Sequence, residues 1–148
     1  METNKTINYI KKSVRLSFSI YGVKDSLNIS RDVIRILGFP NYVSIRIKEK
    51  NHFAVVPSDV KEQMSFSVPK NLFTTKSGQF RITSKGFVTT ILARNNLDKN
   101  VTYIVKGSYS EKENVVFFNM ENHRIVIDGK TVKDENKNTN WGDFLIVI

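Results

Sequence analysis

The sequence predicts a mainly β fold with short helices (α+β): two ββαββ repeats sharing one core, extended by a C-terminal β-hairpin and strand. Three observations predict it. The stretches "LSFSI" (16–20) and "MSFSV" (64–68) alternate apolar residues with serine in the same way, 48 positions apart. Strict alternation marks a strand with one buried face. The elements after each stretch recur in one order. Finally, Asp128-Gly129 separates two alternating runs, the dipeptide that a two-residue hairpin turn favours.

In the first copy Val14, Leu16, Phe18 and Ile20 alternate with Arg15, Ser17 and Ser19. Gly22, Asp25 and Ser26 supply turn chemistry. Leu27 and Ile29 resume the alternation across Asn28 as a shorter strand. Ser30 is placed to cap a helix, with Asp32 in the first turn, where the helix dipole favours an acid. Val33, Ile34 and Leu37 form its apolar stripe. Gly38 suits a left-handed C-cap and Pro40 prevents continuation, so the helix has about two turns. Val43, Ile45 and Ile47 alternate with Ser44 and Arg46, "KEKN" turns the chain, and residues 53–56 form a fourth strand that Pro57 closes.

In the second copy Met64, Phe66 and Val68 match Leu16, Phe18 and Ile20. After the loop "PKNLFTTKSG", Phe80 and Ile82 flank Arg81 as Leu27 and Ile29 flank Asn28, and Thr83 stands in the place of Ser30. Phe87, Val88, Ile91 and Leu92 share one helical face that Asn95-Asn96 ends, while Gly86 weakens its start. Val101, Tyr103 and Val105 match Val43, Ile45 and Ile47, "GSYSEKEN" turns, and residues 115–118 form the next strand. The offset grows from 48 to 53 to 58, with the insertions in loops and in the second helix, and loops tolerate insertion.

Sixty residues with four short strands bury too little apolar surface to fold alone. The copies are therefore expected to share a core as an internal pseudo-dimer. This divides the chain into a first repeat (1–60), a second repeat (61–120) and an extension (121–148), with 1–120 one folding unit. In the extension "RIVIDGKTV" makes a hairpin, "KDENKNTN" is a polar spacer, and "WGDFLIVI" ends on an apolar run that needs cover.

Composition limits the chemistry. The absence of cysteine excludes disulfides, thiol catalysis and cysteine-based zinc sites. "METNKTINYIKK" has no apolar core for a secretory signal, and no apolar run approaches the roughly 20 residues that span a bilayer. A cytoplasmic protein without membrane contact is expected. His52 and His123 stand far apart and read as surface turn residues, so no metal or cofactor is expected. There is no nucleophile elbow, Walker loop or dinucleotide-type glycine cluster, and the reading is non-enzymatic. The net charge is +9. Residues 1–60 hold ten Lys/Arg against five Asp/Glu, residues 61–120 nine against four, and residues 121–148 four against five. A surface of that sign attracts polyanions.

The stretch "NISRDVIRILGFPNYVSIRIKEKNHFAVVP" resembles the DNA-binding domain of the AbrB/MazE/SpoVT family of swapped-hairpin barrels. Ile29 ends the family-like strand, Leu37-Gly38-Phe39 is the Leu-Gly-apolar step and Val55-Val56-Pro57 the apolar-Pro close. The likeness covers residues 14–57 and, more loosely, 64–118. The chain departs from the pattern in carrying only Arg35 before the Leu-Gly step, and Ser30 and Thr83 where the family has proline. The resemblance implies a swapped-hairpin-like barrel with a DNA-binding face, in a tandem arrangement like that of the MraZ branch.

The candidate nucleic-acid-binding residues are Arg15, Lys24, Arg31 and Arg35 in the first copy and Lys70, Lys76, Arg81 and Lys85 in matching places of the second. On one face these side chains would neutralise phosphates and read guanine edges in the major groove. The expected partner is double-stranded DNA, with RNA an open alternative, bound by a small transcriptional regulator that is a monomer with internal pseudo-symmetry or a homodimer. The rival expectation is a protein-binding module or inhibitor, of mobile-element or phage type, acting on a nucleic-acid-handling complex. Its interface anchors would be Trp141, Phe144, Ile146 and Ile148.

Overall fold

The structure, a computed structural model, describes residues 15–49, 51–127 and 130–132. Val14, Asp128-Gly129 and the four C-terminal anchors lie outside these residues. The alternation of the first copy becomes β1 (Ser17–Tyr21) and β2 (Ser26–Ile29), joined by a 3-10 turn at Gly22–Lys24. Helix α1 (Arg31–Ile36) leads into β3 (Tyr42–Ile47) and β4 (His52–Ser58). The second run gives β5 (Ser65–Ser67), β6 (Phe80–Thr83), α2 (Lys85–Arg94), β7 (Thr102–Ser110) and β8 (Val115–Ile127). Strand β9 (Lys130–Val132) pairs antiparallel with the end of β8, with Ile127 opposite Lys130.

The strands run β5-β3-β4-β8-β7-β1-β2-β6, all pairs antiparallel, and form a nearly closed barrel of eight strands with β9 attached to β8. Long-range pairs hold it together: β1 with β7, β2 with β6, β3 with β5 and β4 with β8. The seam lies between β5 and β6, which do not pair among the described residues.

Inward-facing residues of the alternating strands build the core. At its centre Phe18 meets Phe53 edge-on at 4.7 Å, and Phe53 stacks on Phe118 at 5.1 Å. Phe87 of α2 closes on both Phe18 (5.8 Å) and Phe53 (5.4 Å). Two of these rings precede residue 60 and two follow it, so both stretches contribute to one core.

The helices end alike. In α1, Gly38 is left-handed (φ +88°) and Phe39 N donates to Ile34 O at 3.0 Å. In α2, Asn96 is left-handed (φ 54°) and Leu97 N donates to Leu92 O at 3.0 Å. These are the bonds by which a Schellman-type end satisfies orphan carbonyls.

Several expectations are corrected. Ser84, not Thr83, caps α2, accepting from Phe87 N at 3.4 Å, because Thr83 is still paired with Ser26 in the sheet. Ser30 holds the N-cap position of α1, but its hydroxyl donates to Arg15 O at 2.9 Å and accepts from Ser17 N at 3.0 Å, tying the helix to β1. Met64 is not a strand residue: it is left-handed (φ 70°) and 79% exposed, because β5 is a short edge strand that among the described residues pairs only with β3. Pro57 does not close β4. It pairs with Val43 beyond the last residue that β8 contacts, where its missing N–H leaves no ladder bond unmade. Gly107 to Ser110 continue β7, and only residues 111–114 turn. Val105, not Val101, stands opposite Phe18, as Val43 stands opposite Phe66. His52 and His123 lie in strands, half-buried, and not in surface turns.

Candidate nucleic-acid interface

The β2–β6 pair organises the candidate residues. Asn28 stands directly opposite Arg81, and both are on the outer face, because Leu27, Ile29, Phe80 and Ile82 point into the core. On the neighbouring strand Tyr21 stands opposite Ser26. The Arg81 guanidinium reaches across β2 to lie 5.0 Å from the centre of the Tyr21 ring. Ser26 and Asn28 lie on the strand it crosses. Ser26 is 2% exposed, and Ser26 Oγ and Asn28 Oδ1 have no hydrogen-bond partner among the described residues. Arg81 itself remains exposed.

One end of this pair carries α1 and the loop that precedes β6. Arg31 donates to Thr75 O at 3.2 Å, which sets it beside Lys76. Arg35 pairs with Asp32 one turn back and lies over the Phe73 ring at 5.2 Å. Asp32 also accepts from Arg15 N at 2.8 Å. Val68 N donates to Asn41 O at 2.9 Å, so the loop bearing Lys70 leaves β5 beside the α1–β3 turn. Phe39 in that turn is 59% exposed and meets Phe73 edge-on at 5.1 Å.

The other end carries Lys24 and Lys85. Ser84 N donates to Asp25 O at 2.9 Å, which brings the start of α2 against the β1–β2 turn. The structure thus gathers Arg15, Arg31, Arg35, Lys70 and Lys76 around α1 and Lys24 and Lys85 at the start of α2, with Arg81 on the strand between. Lys24, Lys70, Lys76 and Lys85 are exposed and make no ion pair among the described residues. Asp32 lies beside the α1 group, bonded to Arg15 N and Arg35, and Asp25 lies beside the start of α2.

Sequence reasoning missed Tyr21, Phe39 and Phe73. Tyr21 had a readable signal, since it keeps the outward phase of Ser17 and Ser19. Phe39 and Phe73 had none, because an aromatic residue in a turn is indistinguishable from a core anchor until the turn is placed.

Elsewhere the chemistry is sparse. Burial raises the Tyr103 phenol above its ordinary value; its bond to Asp98 O (2.9 Å) opposes that rise, and the Asp98 charge adds to it. His123 Nδ1 lies 2.6 Å from Met120 O and its ring meets Tyr103 edge-on. Among the described residues no cluster of three metal-ligating side chains forms, and no helix is long and apolar enough to cross a membrane. A groove of about 190 Å³ lies between α2 and the β1–β2 turn, lined by apolar Val88, Leu92 and Leu97 with Lys99. Comparison of the chain with protein-family models, curated proteins and solved structures finds no match.

Proposed function

We propose that this protein is a non-enzymatic double-stranded DNA-binding protein, a small transcriptional regulator using the basic face of a pseudo-dimeric, swapped-hairpin-type barrel. The observation that carries the reading is the β2–β6 pair, flanked by exposed cations at both ends with Arg81 between them.

The pairing pattern supports the internal duplication behind it. Advancing every strand number by four, and counting past β8 back to β1, turns β1–β7 into β5–β3 and β3–β4 into β7–β8. It leaves β2–β6 and β4–β8 unchanged. The counterpart of β1–β2 falls at the seam. The approximate two-fold axis then passes beside Asn28 and Arg81, and related cations fall to either side of it. A duplex with two-fold character is the natural complement of such a face.

The test is duplex binding by fluorescence anisotropy over a salt series, with duplex RNA as competitor. Affinity is expected to fall steeply with salt. An Arg35→Ala/Arg81→Ala double variant should reduce the log–log slope by about 2 if each arginine meets one phosphate. No binding at low salt overturns the reading.

A second reading, a protein-binding module or inhibitor, is favoured by one observation. Ile125 and Ile127 are 37% and 54% exposed on β8. The outer edge of adjoining β9 has no strand beside it among the described residues. Such an edge suits strand addition by a partner.

A further inference from the structure

We infer that Phe39 and Phe73, with Arg31, Arg35 and Lys76 around them, form a subsite for an unpaired nucleobase and its flanking phosphates. The inference rests on the nucleic-acid reading above and narrows it to a substrate with a single-stranded segment.

Backbone geometry is the first ground. Phe39 is left-handed (φ 56°) immediately after left-handed Gly38. A bulky side chain occupies that region only at a cost. The helix end does not require it. Helix α2 closes with the same long-range bond from Leu97 to Leu92 O, and there only Asn96 is left-handed. The second left-handed residue after α1 is therefore extra, and it accompanies a phenyl ring left 59% exposed. Strain held where a fold does not need it marks a site of function.

The neighbours are the second ground. Phe73 braces Phe39 edge-on at 5.1 Å, and Arg35 lies over Phe73 at 5.2 Å. Arg31 is held by Thr75 O next to exposed Lys76. The acid in this group, Asp32, is already engaged by Arg15 N and Arg35. An exposed ring among cations, with the local carboxylate occupied, selects a flat ligand that carries negative charge. A nucleotide combines the two: its base stacks on the aromatic face while its phosphates meet the cations.

The experiment uses the full chain, a fluorescein-labelled oligothymidylate of about ten nucleotides and a blunt duplex, at low salt. The wild type should bind the single strand. Phe39→Ala should lower the ratio of single-strand to duplex affinity roughly 5- to 100-fold, with thermal unfolding compared to confirm folding. Phe39→Trp should keep the ratio, and the emission it adds should be quenched by the oligonucleotide. If Phe39→Ala leaves the ratio unchanged while duplex binding persists, the subsite is wrong and the DNA reading stands. If the wild type binds duplex but no single strand, the subsite is likewise overturned. If neither is bound, both fail.

Discussion

At the residue scale, the centre of the barrel depends on a few rings. Phe53 is fully buried and touches Phe18, Phe87 and Phe118. Phe53→Ala leaves a cavity that strands fixed by pairing on both sides cannot collapse into. We expect a loss of about 3–5 kcal/mol, measured by urea unfolding. Tyr103 yields a prediction of a different kind. Its phenol is raised in the folded state, so the unfolded chain loses its proton first. The contribution is fully present below about pH 10 and is lost as pH rises through the folded value. Tyr103→Phe should flatten the fall in stability above about pH 10. At neutral pH it should cost about 1 kcal/mol, through loss of the bond to Asp98 O.

At the element scale, the helix ends and the hairpin turn separate two uses of glycine. Gly38 is left-handed with open space where a Cβ would stand. Gly38→Ala therefore pays only the backbone cost, about 1–2 kcal/mol. At Gly22 a Cβ would collide with the backbone carbonyl of Lys99. Gly22→Ala must push the β1–β2 turn away from the loop after α2. It should lower the urea midpoint more than Gly38→Ala does. Equal losses would mean that this close approach contributes nothing. At the end of α2 the same left-handed role falls to Asn96, so either residue type can close a helix of this protein in that way.

At the scale of the whole molecule, stability is shared across the chain. Strands β1, β2, β3 and β4 each pair with a strand that begins after residue 60. Residues 1–60 and 61–148, expressed separately, should each lack a cooperative unfolding transition by circular dichroism. A cooperative melt from either piece would show that its core suffices alone. The same scale governs charge. Two basic stretches, each with five more cations than anions, meet along β2–β6, so their field adds where the strands join.

The strands, the helices and the pairing of β8 with β9 were legible in the sequence, because alternation and turn residues are local properties that a short segment carries by itself. The exposure of Arg15, Arg35, Arg81 and Lys85 followed from the same alternation and spacing. What local pattern could not determine was partnership. Nothing within "LSFSI" says that Phe18 faces Val105, or that Met64 falls outside the strand it echoes. Those outcomes depend on which edges remain free once the long-range pairs have formed. Phe39 is the sharpest case. Its residue type reads as core, its neighbours read as a helix end, and only the placement of the loop carrying Phe73 and Thr75 against α1 sets it on the surface among cations. The sequence by itself determined the elements and the sign of the surface; the tertiary structure decided which side chains meet, because contacts between distant segments are fixed by closing the sheet and not by any segment alone.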